Sequence, residues 1–166
     1  DVGDEAEVAA LLERIRSELP PLAGIAHLAG VLDDALLPQQ SLDRFRTTLR
    51  PKAFGAHHLH RLTKDDDLEF FILYSSASAV LGSPSQANYA CANALLDGLV
   101  AQRRAQGLPA TAANFGPWGR GGMASSAAAL ANLSAQGMMP LEPSAALAAL
   151  GEVVRHGTGQ ATVLKA

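Results

Sequence analysis

Two short strand-like runs flank one long helical segment, the first of them unbroken in its apolar character. They are Phe70-Phe71-Ile72-Leu73-Tyr74 and the stretch from Ala110 to Phe115. The helical pattern between them runs from Pro84 to Gln106 and stops at Gly107-Leu108-Pro109. Short runs without polar alternation suit strands covered on both faces, and a helix between two of them carries the chain back so that the strands lie parallel. The same alternation recurs elsewhere. Asp4 to Leu19 has a helical period with Val8, Leu11, Leu12, Ile15 and Leu19 on one face, Asp4 as its cap and Pro20-Pro21 as its stop. Ala23 to Leu28 reads as a strand that ends at the small pair Ala29-Gly30. Ser41 to Leu62 reads as one helix capped by Ser41, with Phe45, Leu49, Phe54 and Leu59 inward and Pro51 disturbing its middle. Leu68 to Ser75 is the strongest strand. Helices over Ser125 to Gln136 and Pro143 to His156 and a strand over Gln160 to Lys165 complete the pattern. The fold class is α/β, a doubly wound parallel sheet, in which functional loops gather at the carboxyl ends of strands. Those ends are Leu28 to Gly30, Ser75-Ser76 and Phe115 to Gly119.

At 166 residues the chain is long enough for one domain with a real core, and 48% hydrophobic against 17% charged content argues against disorder. A net charge of −3 with no basic block argues against nucleic acid or an anionic membrane as the main partner. No apolar run approaches the roughly 20 residues a membrane helix needs. Cys91 is the single cysteine, which fits a reducing, cytoplasmic compartment. No G-x-G-x-x-G occurs, and Asp1-Val2-Gly3 stands directly before the first helix. The chain therefore reads as the C-terminal, catalytic half of a dinucleotide-binding domain, residues 1–166, with the Gly-rich half expected outside it.

The candidate chemistry lies in Tyr89-Ala90-Cys91-Ala92-Asn93, in Ser75-Ser76 upstream of it, and in Lys52. Tyr89 and Asn93 are four apart on a helix and share a face. Ser76 closes a strand. A strand-end hydroxyl facing a phenol and an amide across a cleft suits proton donation. Each residue taken alone also suits a structural role: a turn cap for the serines, a core phenol for Tyr89, a solvated lysine for Lys52, a surface amide for Asn93. Their joint spacing is what points to a catalytic set. His57, His58 and His60 cluster without completing a metal ligand set, so no metal is expected.

Several segments resemble one family in order: His27-Leu28-Ala29-Gly30-Val31-Leu32-Asp33-Asp34, Leu49-Arg50-Pro51-Lys52, Ser75-Ser76, Gly82 through Asn93, and Gly122-Met123-Ala124. Together they resemble the ketoreductase domains of modular type I polyketide synthases, within the short-chain dehydrogenase/reductase superfamily and its Rossmann-like fold. The position four after Tyr89 is Asn93 and the lysine lies upstream, an exchange similar to that of polyketide and fatty-acid synthase reductases. The resemblance implies a catalytic tetrad of Tyr89, Ser76, Lys52 and Asn93. It implies that NADPH reduces a β-ketoacyl thioester carried on the phosphopantetheine arm of an acyl carrier protein. It places the cofactor against Asp1, Val2, Ala29, Gly30, Lys52, Tyr89, Pro117, Trp118 and Gly119. Leu32-Asp33-Asp34, with Leu81, Pro84 and Asn88, resembles the B-type fingerprint, implying a D-configured hydroxyl, with Met123 near the substrate and residues 120–140 as a lid. Cys91, where epimerising members often carry proline, favours the non-epimerising kind. Neighbouring synthase domains, including the N-terminal half, are the implied partners. A non-catalytic remnant and a fatty-acid synthase-type reductase are the other readings, the first opposed by the intact tetrad.

Lys52 is expected to act as the cation that lowers the pKa of the Tyr89 phenol from its ordinary value of about 10.

Overall fold

The computed structural model describes residues 1–119 and 137–165. In chain order these form α1 (Glu5–Glu18), β1 (Gly24–His27), a 3-10 turn (Leu37–Gln39), α2 (Leu42–Leu49), a π-helical turn (Arg50–Phe54), α3 (Gly55–Leu62), β2 (Phe70–Ser76), α4 (Ser78–Leu81), α5 (Ala87–Ala105), β3 (Thr111–Phe115), α6 (Pro143–Arg155) and β4 (Gln160–Val163). The four strands form one parallel sheet in the order β1-β2-β3-β4. His27 pairs with Leu73, and Ser76 pairs with Phe115, so the strands finish together at one edge.

Side-chain alternation along the strands builds a core on each face of the sheet. Phe71, Leu73, Ala110 and Ala112 pack with Ala56 of α3 and Leu96, Leu99 and Val100 of α5. Ala113 and Phe115 turn the other way, toward Leu141 and Ala146. Helices therefore cover both faces, as the unbroken apolar run of β2 requires.

The expected α1 is present. The Asp4 carboxylate accepts from the Ala6 and Glu7 amides, which satisfies two orphan donors of its first turn. Its apolar face is narrower than the period suggests: Val8 and Leu12 are buried, whereas Leu11 and Leu19 are more than half exposed. The single helix expected over Ser41 to Leu62 is instead two helices joined by the π-helical turn. Pro51 causes the break, because it lacks an N–H and its ring collides with the carbonyl four residues earlier. In that turn the Gly55 amide reaches back to the Arg50 carbonyl, five residues away. Phe54, expected inward, is exposed as a result. α5 begins at Ala87 rather than Pro84, because Gly82 (φ 75°) and Ser85 (φ 63°) bend the chain before it. The short α4 was not expected, and the helix expected over Ser125 to Gln136 lies outside the described residues.

Arg103 near the end of α5 is almost wholly buried, an arrangement residue type alone does not suggest. Its guanidinium lies 4.0 Å from the centre of the Phe71 ring, donates to His60 Nδ1 at 3.0 Å and donates to the Pro109 carbonyl at 3.1 Å. Burial, followed by the Arg103 charge, holds His60 below its ordinary pKa, so the imidazole stays the neutral acceptor this contact needs.

Candidate active site

The carboxyl ends of the strands open into a cleft of about 370 Å³. Lys52, Ser76 and Tyr89 line it, together with Leu28, Leu32, Leu81, Gln86, Pro117 and Trp118. Three elements deliver the polar groups. β2 ends on Ser76, whose Oγ accepts from the Ser78 amide at 3.1 Å and from Ser78 Oγ at 3.0 Å. Ser76 thus ties the first residue of α4 to the strand end and lines the cleft at once. α5 brings Tyr89, 8% exposed, and Asn93, wholly buried, on one face. The Asn93 amide nitrogen donates to the Tyr89 carbonyl at 2.8 Å, which leaves its Oδ1 buried with no partner among the described residues.

Lys52 arrives on the π-helical turn. Its carbonyl is held by His27 Nε2 at 2.8 Å, so that histidine shapes the lysine rather than the cleft. The Lys52 ammonium donates to the Tyr74 carbonyl at 3.0 Å and lies 5.5 Å from the centre of the Tyr89 ring. Gly30 makes room for this side chain: a Cβ there would come within 3.0 Å of Lys52 Cε. Burial lowers the lysine pKa to about 8.

The Tyr89 phenol is raised above its ordinary value, contrary to the expected lowering. Burial is the largest cause, hydrogen bonding with Asn93 opposes it, the Asp34 charge adds to it, and hydrogen bonding with Ser76 opposes it again. Removing a phenolate from water costs more here than the polar neighbours Asn93 and Ser76 return.

The remaining expected site residues divide into two groups. Leu32, Leu81, Pro117 and Trp118 line the cleft, and Trp118 also packs edge-on against Phe115 at 5.1 Å. Ala29, Gly30, Gly119, Asp33, Asp34, Pro84 and Asn88 are not part of its wall, and Asp1 and Val2 lie elsewhere. The Asp1 carboxylate pairs with Arg50 at 3.2 Å, and Val2 packs on Gly55, so both sit against the turn that carries Lys52. Met123 and most of the expected lid lie outside the described residues.

A second set of contacts ties down the loop over residues 33–35. Asp33 pairs with Arg44, and its carbonyl accepts from Asn88 Nδ2 at 2.8 Å. Asp34 accepts from Gln86 at 3.0 Å, and the Ala35 amide donates to the Ser85 carbonyl at 2.8 Å. Arg44 and Gln86 were missed in the sequence because a charged or amide side chain on a helix reads as solvated. Among the described residues, no three His, Cys, Asp or Glu side chains converge as a metal site, and no helix is long and apolar enough to cross a membrane.

The family model described as KR domain matches residues 1–120. A phenolphthiocerol synthesis polyketide synthase type I of Mycobacterium marinum is 43% identical over 169 residues, which takes in 99% of this chain and 8% of that protein. A spectinabilin polyketide synthase system protein of Streptomyces orinoci is 53% identical over 125 residues, 75% of this chain and 6% of the other. A solved structure of A-type ketoreductases from a modular polyketide synthase superposes with a TM-score of 0.93 at 40% identity, covering 99% of this chain and 34% of that one. The chain thus spans about a third of the solved chain and under a tenth of these curated relatives.

Proposed function

We propose a function from one premise: this chain belongs to the KR domain family, the ketoreductase domains of modular polyketide synthases. We infer that it reduces a β-ketoacyl thioester, held on an acyl carrier protein, to a D-configured β-hydroxyacyl thioester. The supporting observation is the meeting of Lys52, Ser76 and Tyr89 in one cleft at the strand ends, with Asn93 buried one turn after Tyr89 and bonded to its carbonyl. The expected cofactor is NADPH. The cleft suits its nicotinamide end, because its lining combines Pro117 and Trp118 with a buried ammonium able to donate to a ribose hydroxyl. The chemistry supplied by bound NADPH is hydride donation to the ketone carbon. Residues beyond this chain are proposed to hold the phosphate end, and neighbouring synthase domains to present the carrier arm.

The chain's own residues handle the oxygen. The Ser76 hydroxyl orients the carbonyl, and Tyr89 gives its proton to the developing alkoxide, a far stronger base than a phenolate. A raised phenol pKa keeps that proton in place at neutral pH. The Lys52 charge then steadies the phenolate left behind. These roles fix a pH dependence. Lys52 is charged below about 8 and neutral above it, while Tyr89 keeps its proton well beyond that point. The value of kcat/KM is therefore expected to hold level through neutral pH and to fall as pH rises through about 8. A profile measured between about pH 6 and 10 checks this, and a level profile up to the phenol range removes Lys52 from the role.

The D configuration is read from Leu32-Asp33-Asp34 and Leu81. The A-type structure shares the overall fold, so the fold does not decide the hydroxyl configuration. Chiral chromatography of the product with a β-ketoacyl thioester and NADPH tests the reading. The 3R alcohol is expected. A 3S product overturns the configuration, and no NADPH consumption overturns the activity.

A further inference from the structure

We propose that Asn114, backed by Asp97, is a positioning residue for the reducing site. This rests on the ketoreductase reading above. Asn114 lies on β3 and is wholly buried, and neither it nor Asp97 lines the cleft. Its Nδ2 faces three acceptors: Asp97 Oδ2 at 2.8 Å, Ser75 Oγ at 3.1 Å and the Ser76 carbonyl at 3.3 Å. Ser75 Oγ in turn donates to the Asn93 carbonyl at 3.3 Å. From the far side Gln160 Nε2 donates to the same Asp97 oxygen at 2.9 Å. The chain of contacts joins β4, α5, β3 and β2 and ends on the two backbone segments that carry Ser76 and Asn93.

Helical spacing explains why Asp97 belongs to this group. Tyr89, Asn93 and Asp97 are separated by four residues each and share one face of α5. The site therefore sits at one end of a polar seam between α5 and the sheet, and Asp97 anchors the other end. Within the seam the Asn114 amine is the donor shared among Asp97, Ser75 and the Ser76 carbonyl. Burial raises the Asp97 carboxyl, while the hydrogen bond from Asn114 and the nearby Ser75 hydroxyl pull it back. Its carboxylate form thus depends on the same contacts.

The test is a mutant cycle in the full-length protein with NADPH and a β-ketoacyl thioester. Asn114→Ala is expected to lower kcat about 10- to 100-fold with KM little changed, the size of effect a misplacement of about 1 Å produces. In a Ser76→Ala background the same change is expected to cost less than about twofold, because Asn114 acts through Ser76. Losses that multiply in that background, or a kcat within about twofold of wild type, overturn the proposal. Asp97→Asn keeps the volume and is read in the same cycle should Asn114→Ala fail to fold. An inactive wild-type protein sinks the functional reading instead. The positioning claim is then decided by a crystal structure of the variant, and a Ser75-Ser76 backbone unmoved within about 0.5 Å overturns it.

Discussion

Tyr89→Phe is expected to lower kcat for thioester reduction by about 10²- to 10⁴-fold, the range a positioned general acid supplies. The substitution removes one hydroxyl and keeps the ring beneath Lys52, so the packing around α5 is retained. Unfolding free energy should change by no more than about 1 kcal/mol. The variant thus separates proton donation from scaffold. Loss of NADPH consumption with an unchanged denaturation midpoint assigns the proton to Tyr89. Activity within threefold or so of wild type places the donor elsewhere.

Asn88→Ala carries the largest expected cost in stability. The Asn88 side chain is wholly buried and serves five neighbours at good distance or close to it. Nδ2 donates to the Asp33 carbonyl at 2.8 Å, to Thr48 Oγ at 3.0 Å and, more weakly, to the Arg44 carbonyl at 3.4 Å, while Oδ1 accepts from the Tyr89 amide at 2.9 Å and from Gln40 at 3.4 Å. Truncation strands several of these groups away from water, at about 1–3 kcal/mol apiece when nothing replaces the partner. A loss of about 3 kcal/mol or more in chemical denaturation is expected. Asn88→Asp gives no rescue, since its carboxylate would face the Asp33 carbonyl. Because Asn88 pins the loop over residues 33–35, the product of any surviving enzyme should also lose configurational purity. A loss below about 1 kcal/mol would mean that water fills the space.

The sheet was legible because strands covered on both faces leave no polar alternation, and Phe70 to Tyr74 carries that mark plainly, whereas Ala110 to Phe115 was legible more from the Gly107-Leu108-Pro109 stop before it. The gathering of Lys52, Ser76, Tyr89 and Asn93 was legible only as a joint pattern, since each also suits a bland role. What local pattern misses is what long-range partners decide. Pro51 announced a disturbance but not a wider turn, because the contacts that hold the turn, His27 of β1 on the Lys52 carbonyl among them, come from distant sequence. The direction of the Tyr89 shift was misread for a related reason. Spacing shows that a cation is near, but only the folded surroundings show how much water is lost. Arg103 and Asn114 were invisible as buried groups, because their partners lie on other elements.

The π-helical turn has a consequence for how this fold varies. Each residue of an α-helix advances its side chain by about 100°, so a helix interrupted by one wider turn changes phase. Before the turn, α2 presents Thr48 to Asn88; after it, α3 presents Ala56 to the sheet core and His60 to Arg103. Lys52 stands at the change of phase. Loss of one residue from Arg50–Phe54 would leave both flanking helices intact as helices and yet swing one of them away from its neighbours. The turn therefore works as a gear between two helices, and its residue count meters the lysine's reach.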